Sequence, residues 1–153
     1  MPKETIKDIK IIPIGYVRTD LTEEQIKGNR RNVVSKIEIL KKFEKCLLGI
    51  DDYSHLMVLF WMHETPAVEG KRMTLRLWND TIIGVFAIRR RTRPNPIGLA
   101  VVELIKRKAN VLEVRGLDAL DGTPVIDIKS YDFQDRPESI RVPKWWLDKK
   151  GVK

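Results

Sequence analysis

The chain has 153 residues, of which 42% are apolar and 33% charged, and it carries a formal net charge of +8. This length is enough to bury one core without disulfides, and the lone Cys46, expected to be a buried thiol, excludes an internal disulfide or a zinc cage of several thiolates. No apolar run is long enough to cross a bilayer and no signal region is recognisable, so we expect a cytoplasmic protein of one domain, residues 1–153, without a membrane partner. The excess of Lys and Arg favours an anionic ligand or partner.

The first third of the chain is predicted to form two short strands and two short helical segments. A first strand is expected over residues 11–18. Thr22 and Gln25 then have the spacing of a capping box, which would open a short helix. Residues 35–40 alternate polar and apolar side chains, as in a strand with one wet face. Residues 41–49 place apolar side chains at helical spacing.

The most apolar strand is predicted over residues 55–63, and the two histidines of the chain bracket it. His55 and His63 lie about 26 Å apart along an extended strand, so they cannot share a metal ion, and no metal site is expected. His55 is interpreted as structural. His63, followed by Glu64 where the strand ends, is interpreted as functional because loops at strand ends carry sites. Residues 65–79 are expected to form an irregular excursion.

A basic, proline-containing segment between two apolar runs is the central feature of the sequence. Strands are predicted over residues 82–88 and 99–104, because Val, Ile and Phe suit a half-buried sheet surface. Proline cannot donate to a central strand, so the segment between the runs should form a rigid connection. Guanidinium groups bind phosphate or carboxylate through two parallel hydrogen bonds, so a rigid loop of arginines predicts an anion site. The loop contains Arg89, Arg90, Arg91, Arg93, Pro94, Asn95 and Pro96.

The last part of the chain is predicted to be mainly β. Strands over residues 99–106 and 110–117 should form a hairpin. An acidic turn at residues 118–124 and a short strand at 125–129 follow it. About seven short strands and little helix indicate an all-β barrel or a strongly bent sheet with one or two minor helices. Residues 132–153 are interpreted as a tail that packs on the barrel or on a partner subunit.

The acidic turn and the basic segments leave two interpretations open. Asp118 and Asp121 beside a guanidinium loop would suit a ligand that bears both charges, because carboxylates accept hydrogen bonds from an ammonium or ribose hydroxyls. Residue chemistry alone favours ordinary turn formation instead. The basic turn at residues 28–32 is either exposed or a second wall of an anion site. Motifs for nucleoside triphosphates, dinucleotides and serine hydrolases are missing from the sequence.

Four motifs, taken together and in order, resemble those of the TsaA-like (TrmO) family over about residues 12–131. They are Ser54-His55-Leu56, Gly84-Val85-Phe86-Ala87-x-Arg89, Arg93-Pro94-Asn95-Pro96-Ile97-Gly98-Leu99 and Gly116-Leu117-Asp118-x-x-Asp121-Gly122-Thr123-Pro124-Val125-x-Asp127-Ile128-Lys129. The resemblance implies a single-sheeted β-barrel, a homodimer and S-adenosylmethionine as methyl donor. It also implies a tRNA methyltransferase that acts on the N6 amine of threonylcarbamoyl-adenosine at position 37, beside the anticodon.

The resemblance implies which residues bind the cofactor, and a mechanistic hypothesis of our own assigns the tRNA contacts and the base. The cofactor would be bound by His63, Glu64, Arg89, Leu99, Leu117, Asp118, Ala119, Leu120 and Asp121. The tRNA anticodon stem-loop would be bound by Arg90, Arg91, Arg93, Asn95, Arg30 and Arg31. The acceptor nitrogen is acylated and therefore a poor nucleophile, so a base that removes its proton would help, and His63 and Asp118 are the candidates.

One departure from the family keeps alternatives open. Enzyme members often carry a Pro-Arg-Gln-Pro-Gly-like stretch after the first strand, which contributes to the cofactor pocket. This chain has a different sequence at residues 26–32. The alternatives are a non-catalytic sensor that binds S-adenosylmethionine and a methyltransferase of the same fold with another acceptor, since a fold does not fix its substrate.

Overall fold

The structure is a computed structural model and describes residues 9–65 and 73–151. Its strands are β1 Gly15–Arg18, β2 Val34–Ile39, β3 His55–Trp61, β4 Thr74–Arg76, β5 Ile82–Gly84, β6 Ile97–Lys108, β7 Val111–Arg115 and β8 Pro124–Ser130. Its α-helices are α1 Glu23–Gly28 and α2 Lys144–Lys150, and 3-10 helices span Lys41–Leu47, Ile50–Asp52, Val85–Ala87 and Phe133–Asp135.

The described residues fall into two compact units. The barrel unit comprises the described part of Met1–Glu64 together with Ile97–Tyr131, and the second unit comprises the described part of Thr65–Pro96 together with Asp132–Lys153. The interpretation of residues 1–153 as one domain, with a tail at 132–153, stays a prediction.

The barrel unit is a closed antiparallel β-barrel in which the strands follow the order β1-β2-β7-β6-β3-β8. Closure pairs each barrel strand on both sides, which removes the open edges that promote aggregation. The prediction of a mainly β fold with a barrel and minor helices is therefore confirmed. The predicted hairpin is also confirmed, because β6 and β7 pair from Glu103 with Arg115 to Lys108 with Val111. In the second unit, β4 and β5 form a separate two-stranded sheet.

The barrel core consists of branched apolar side chains that alternate with outward-facing ones. Along β2, buried and exposed residues alternate at every position, as the sequence pattern predicts. Burying each Val, Leu or Ile contributes about 1.5–3 kcal/mol, so these strands dominate the stability of the fold. Fully buried members of the core are Val17, Ile37, Leu56, Val58, Leu112, Val114, Leu117 and Val125.

Helix α1 begins where the sequence predicts it. The Gln25 amide donates to Thr22 Oγ1 at 3.3 Å, and the Thr22 amide donates to Gln25 Oε1 at 2.9 Å, which completes the capping box. These bonds satisfy amide donors that the first turn of a helix leaves unpaired. Ile26 is buried, so its side chain anchors the short helix.

Several predicted boundaries in the first third of the chain are wrong. The first strand begins at Gly15 rather than residue 11, and the two residues before Pro13 are exposed. Residues 41–47 form a 3-10 helix, whose three residues per turn do not maintain the apolar face expected from α-helical spacing. Leu47 is buried, whereas Cys46 is exposed, so the prediction of a buried thiol is wrong.

Two predictions around the arginine segment also need correction. The expected strand over residues 82–88 ends at Gly84, because its partner β4 is equally short, and a 3-10 turn follows it. The expected irregular excursion over residues 65–79 contains β4, while its residues 66–72 lie outside the described part of the chain. The prolines lie between strands, as predicted, because Pro94 and Pro96 precede β6.

Replacing Ser35 with alanine is expected to stabilise the barrel. Ser35 is buried on the inner face of β2, and its hydroxyl has no hydrogen-bond partner among the described residues. Removing a buried, unsatisfied polar group should raise the free energy of unfolding by about 1 kcal/mol. Urea denaturation of the Ser35→Ala variant measures this change. A loss of stability instead would mean that the hydroxyl is hydrogen-bonded in solution, for example by a buried water.

Candidate functional site

His63 and Glu64 lie at the end of the barrel where β3 ends and β6 begins. Trp61, the last residue of β3, pairs with Ile97, and Leu59 pairs with Leu99. His63 Nε2 lies 3.9 Å from Glu64 Oε1, and the two side chains are 34% and 60% exposed. An imidazole and a carboxylate are therefore both accessible to a ligand at this end of the barrel.

The first residues of β6 depend on a glycine. A Cβ added to Gly98 would overlap the ring of Phe60, which is buried on the neighbouring strand β3. The ring thus occupies the space that any other side chain at position 98 would need. Leu99 follows with its side chain 47% exposed, whereas Ala100 is buried. The strand therefore presents Leu99 on the outer surface of the barrel.

The acidic turn starts beside the same strand. Gly116 has a φ of 94°, and its amide donates to Val33 O at 2.8 Å. A Cβ on Gly116 would lie 3.9 Å from the carbonyl oxygens of both Arg31 and Val101. Gly116, where the turn begins, therefore lies close to the backbone of both residue 31 and residue 101.

The residues of this turn divide into buried anchors and accessible groups. Leu117 and Ala119 are buried, Leu117 completely, so these residues anchor the turn rather than face a ligand. Asp118 and Leu120 are half-buried, and Asp121 is exposed. Alternation of this kind fixes the backbone in the core and leaves polar side chains at the surface.

Both aspartates of the turn already have partners. Asp118 Oδ2 lies 3.5 Å from Arg30 Nε, which joins the acidic turn to the basic turn. Asp121 Oδ1 accepts a hydrogen bond from the Thr19 amide at 3.0 Å. Residues 28–32 were interpreted either as an exposed turn or as a wall of an anion site. Both interpretations are compatible with the structure, since Arg30 is half-exposed beside a carboxylate.

Asp127, which follows the turn in the same sequence motif, has a local role. Asp127 Oδ2 lies 2.7 Å from Lys129 Nζ. The hydrogen bond from the ammonium to this carboxylate, and then the charge of the carboxylate, raise the pKa of Lys129 above its ordinary value. Asp127 therefore pairs with a neighbour on its own strand.

The arginine loop belongs to the second unit. Arg93 Nη1 donates to Ile88 O at 2.8 Å and to Arg90 O at 3.4 Å, so part of this guanidinium closes its own loop. The side chains of Arg89, Arg90, Arg91 and Asn95 are exposed. The sequence did not indicate the structural role of Arg93, because hydrogen bonds to backbone carbonyls have no sequence signature.

The contacts that matter most here join residues far apart in the sequence. The pair of Arg30 with Asp118 and the contact of Gly98 with Phe60 were both missed. For the contact of Gly98 with Phe60, the only signal in the sequence was the glycine itself, which follows Pro96-Ile97. Within the described residues no group of three or more His, Cys, Asp or Glu side chains is arranged to hold a metal ion. A helix of sufficient length and apolarity to cross a membrane is also missing from that part of the chain.

Comparisons with known proteins identify the family. The family model of the tRNA-methyltransferase O N-terminal domain matches residues 21–134. A probable S-adenosyl-L-methionine-binding protein of Archaeoglobus fulgidus is 40% identical over 126 residues, which cover 80% of this chain and 34% of that protein. The tRNA (adenine(37)-N6)-methyltransferase of Escherichia coli is 43% identical over 90 residues, which cover 54% of this chain and 38% of that protein.

A solved structure gives the same result. The crystal structure of TrmO from Pseudomonas aeruginosa matches with a TM-score of 0.72 and 31% identity, over 90% of this chain and 62% of that chain. The chain thus spans about a third of the Archaeoglobus and Escherichia relatives and less than two thirds of the TrmO chain. The family match covers most of the barrel strands and the loops at the candidate site, and the fold agrees with it. The chain therefore belongs to the tRNA-methyltransferase O N-terminal domain family.

Proposed function

We propose that this protein is an S-adenosylmethionine-dependent methyltransferase that acts on the N6 amine of threonylcarbamoyl-adenosine at position 37 of tRNA. The observation that carries the proposal is the family match over residues 21–134, which spans every predicted site residue. The names of the two relatives support the donor and the acceptor separately, since one is called S-adenosyl-L-methionine-binding and the other a tRNA (adenine(37)-N6)-methyltransferase.

The proposed cofactor site combines an apolar surface with carboxylates. Leu99 offers an exposed apolar side chain, and the buried Leu117 and Ala119 fix the acidic turn in the core. Asp118 and Asp121 already have close partners, whereas Glu64 has, among the described residues, only its 3.9 Å contact with His63 and a side chain that is 60% exposed. Glu64 is therefore the carboxylate best placed to accept hydrogen bonds from ribose or to stabilise a sulfonium charge. The remaining proposed members on the barrel unit are His63, Asp118, Leu120 and Asp121. Cofactor binding by Arg89, which belongs to the second unit, stays a prediction.

In the proposed reaction His63 removes the proton of the acceptor amine. S-adenosylmethionine supplies the methyl group in an in-line displacement. The acceptor nitrogen would form its bond to this methyl group as the bond between the methyl carbon and the sulfonium sulfur breaks, with the demethylated thioether as the leaving group. The nitrogen would lose its N–H bond, and the proton would pass to the imidazole of His63. Glu64, 3.9 Å away, would stabilise the resulting imidazolium. Asp118 is the second candidate, but its contact with Arg30 makes its carboxylate less available.

The proposed tRNA contacts are basic. Arg30, Arg31, Arg90 and Arg91 are exposed, and each phosphate that they neutralise makes binding more dependent on salt. Asn95 and the remaining donors of Arg93 complete the proposed set. The net charge of +8 agrees with a polyanionic substrate.

A homodimer in the cytoplasm is part of the same proposal. The outer faces of β3 and β6 carry partly exposed apolar side chains side by side, because Met57 pairs with Val101 and Leu59 with Leu99. An apolar outer face of this kind suits a subunit contact. Light scattering after size-exclusion chromatography would give the mass directly.

The alternative function is a sensor that binds S-adenosylmethionine and transfers no methyl group. It is favoured by the sequence at residues 26–32, which departs from the family's cofactor-binding stretch, and by the name of the Archaeoglobus relative. A methyltransferase with another acceptor is a further possibility on the same fold.

Mass spectrometry of nucleosides distinguishes these functions. Transfer RNA that carries threonylcarbamoyl-adenosine but lacks the methyl group would be treated with the protein and methyl-labelled S-adenosylmethionine. Label on threonylcarbamoyl-adenosine is expected. Cofactor binding without label on this nucleoside would contradict the proposal, and label on another nucleoside would indicate a different acceptor. Unmodified adenosine-37 tRNA is the control, since it lacks the acylated amine.

A further inference from the structure

Three exposed aromatic rings in the second unit each have a cation beside them. The rings of Trp78, Phe86 and Trp146 are 57%, 80% and 38% exposed. In each case 5.8 Å separates the cationic group from the ring centroid, the pairs being Trp78 with Lys149 Nζ, Phe86 with Arg93 Cζ and Trp146 with Lys150 Nζ. The proposed cofactor site uses none of these rings.

Trp78 is held in place by its surroundings. The indole of Trp145 packs edge-on against it, with 6.3 Å between ring centroids and 74° between ring planes. The turn that carries Trp78 is closed by the Leu77 amide, which donates to Thr81 O at 2.8 Å, and Leu77 itself is buried. A ring fixed in this way loses little side-chain entropy when a ligand stacks on it.

The electrostatic surroundings of these rings favour an anionic partner. Basic residues outnumber acidic ones among the described residues of the second unit. A second copy of this chain or an apolar protein surface would have to desolvate these cations when it covers the rings, which is costly. A partner that offers both planar rings and phosphates would pair with both kinds of group.

Single-stranded RNA has this combination of groups. Its unstacked bases stack on exposed aromatic side chains, while Lys and Arg contact the phosphates between them. Bases inside a duplex are already stacked and cannot do so. The anticodon loop that surrounds position 37 is single-stranded, so the proposed substrate offers such bases.

We propose that Trp78 and Trp146, with Lys149 and Lys150, form a stacking surface that binds single-stranded nucleotides of the tRNA anticodon loop, and that Phe86 beside Arg93 is a separate stacking position. This inference rests on the proposed function and extends it, because it assigns base contacts to aromatic rings, which the proposed phosphate contacts do not include. Stacking would also explain why these large rings are kept at the surface.

Binding of a short single-stranded RNA tests the proposal without any methyl transfer. A fluorescein-labelled 15-nucleotide single strand and a duplex of the same composition would be titrated by fluorescence anisotropy. We expect Trp78→Ala and Trp146→Ala each to weaken single-strand binding about tenfold, with little change in its salt dependence. Trp78→Phe should retain binding within a few-fold, because the ring is preserved. The duplex should bind more weakly and should be insensitive to Trp78→Ala.

The second unit offers a matched control. Phe133 is 96% exposed, and its ring has no cation over it within residues 73–96 and 132–151. Phe133→Ala should leave RNA binding within twofold. Unchanged affinity of Trp78→Ala and Trp146→Ala, or an equal loss in Phe133→Ala, would overturn the proposal. Binding to vesicles of anionic lipid that is lost in Trp78→Ala, with RNA binding unaffected, would overturn it in favour of a membrane surface.

The two proposals fail separately. If tRNA is methylated but Trp78→Ala changes neither single-strand affinity nor the KM for tRNA, the stacking surface is wrong and the proposed function stands. If single-strand binding depends on Trp78 but the nucleoside assay gives no label, the proposed methyl transfer is wrong and the stacking surface stands. The protein would then bind RNA without methylating this nucleoside.

Discussion

Replacing Gly98 with alanine is expected to lower the free energy of unfolding by about 2–3 kcal/mol. The new methyl group would occupy the place of the Phe60 ring, which is buried against the barrel core and belongs to the paired strand. Neither the ring nor the strand can move without disturbing close-packed neighbours. Urea denaturation monitored by circular dichroism measures the loss. Because Gly98 precedes Leu99, cofactor affinity should fall as well.

Gly28→Ala is the matched control. Gly28 ends α1, and a Cβ there meets no atom within 4 Å among the described residues. Alanine should therefore be neutral or slightly stabilising at this position. A smaller side chain at position 60 should relieve the overlap in the Gly98→Ala variant. The loss of unfolding free energy in the double variant Gly98→Ala, Phe60→Leu should therefore be smaller than the sum of the losses in the two single variants. Additive costs would show that the overlap is not the cause.

The sequence predicted those parts of the fold that depend on local patterns. Alternation in residues 35–40 located β2, the spacing of Thr22 and Gln25 located α1, and the tight connection at 108–110 located the β6–β7 hairpin. Each of these signals involves residues that are neighbours in the chain. The errors arose where tertiary partners set the boundary. The short partner β4, for example, ends β5 at Gly84. The exposure of Cys46 has a local cause instead, because residues 41–47 form a 3-10 helix rather than an α-helix.

The candidate site could be predicted only as a set of residues, without their accessibility. The motif from Gly116 to Asp121 reads as one unit in the sequence, yet the structure buries Leu117 and leaves Asp121 exposed. The partners of the charged side chains were also out of reach. Arg30 and Asp118 come from opposite ends of the barrel unit's sequence, and no periodicity relates them. Such contacts decide which carboxylates are available for chemistry.

Replacing His63 with alanine is expected to lower kcat for tRNA methylation by about 10²- to 10⁴-fold, under the proposed function, a larger effect than the accompanying loss of cofactor affinity. The reason is that the imidazole, accessible at the end of β3 and next to Glu64, would remove the proton from a poorly nucleophilic amine. Single-turnover methylation with saturating donor, together with calorimetric titration of S-adenosylmethionine, separates the chemical step from binding. Added imidazole should restore part of the rate, because a small base can enter the space that the side chain leaves.

The other histidine and the second candidate base provide the controls. His55 lies at the start of β3, where Ser54 Oγ is 2.8 Å from its Nδ1 and its ring faces Tyr131, so His55→Ala should leave kcat within twofold. Asp118→Asn should mainly disturb the contact with Arg30 and raise the KM for tRNA. If Asp118→Asn abolishes turnover while His63→Ala retains it, the proton passes to Asp118. The Asp118 carboxylate would then have to leave Arg30 Nε before it accepts the proton, while the other N–H donors of Arg30 remain available to a phosphate.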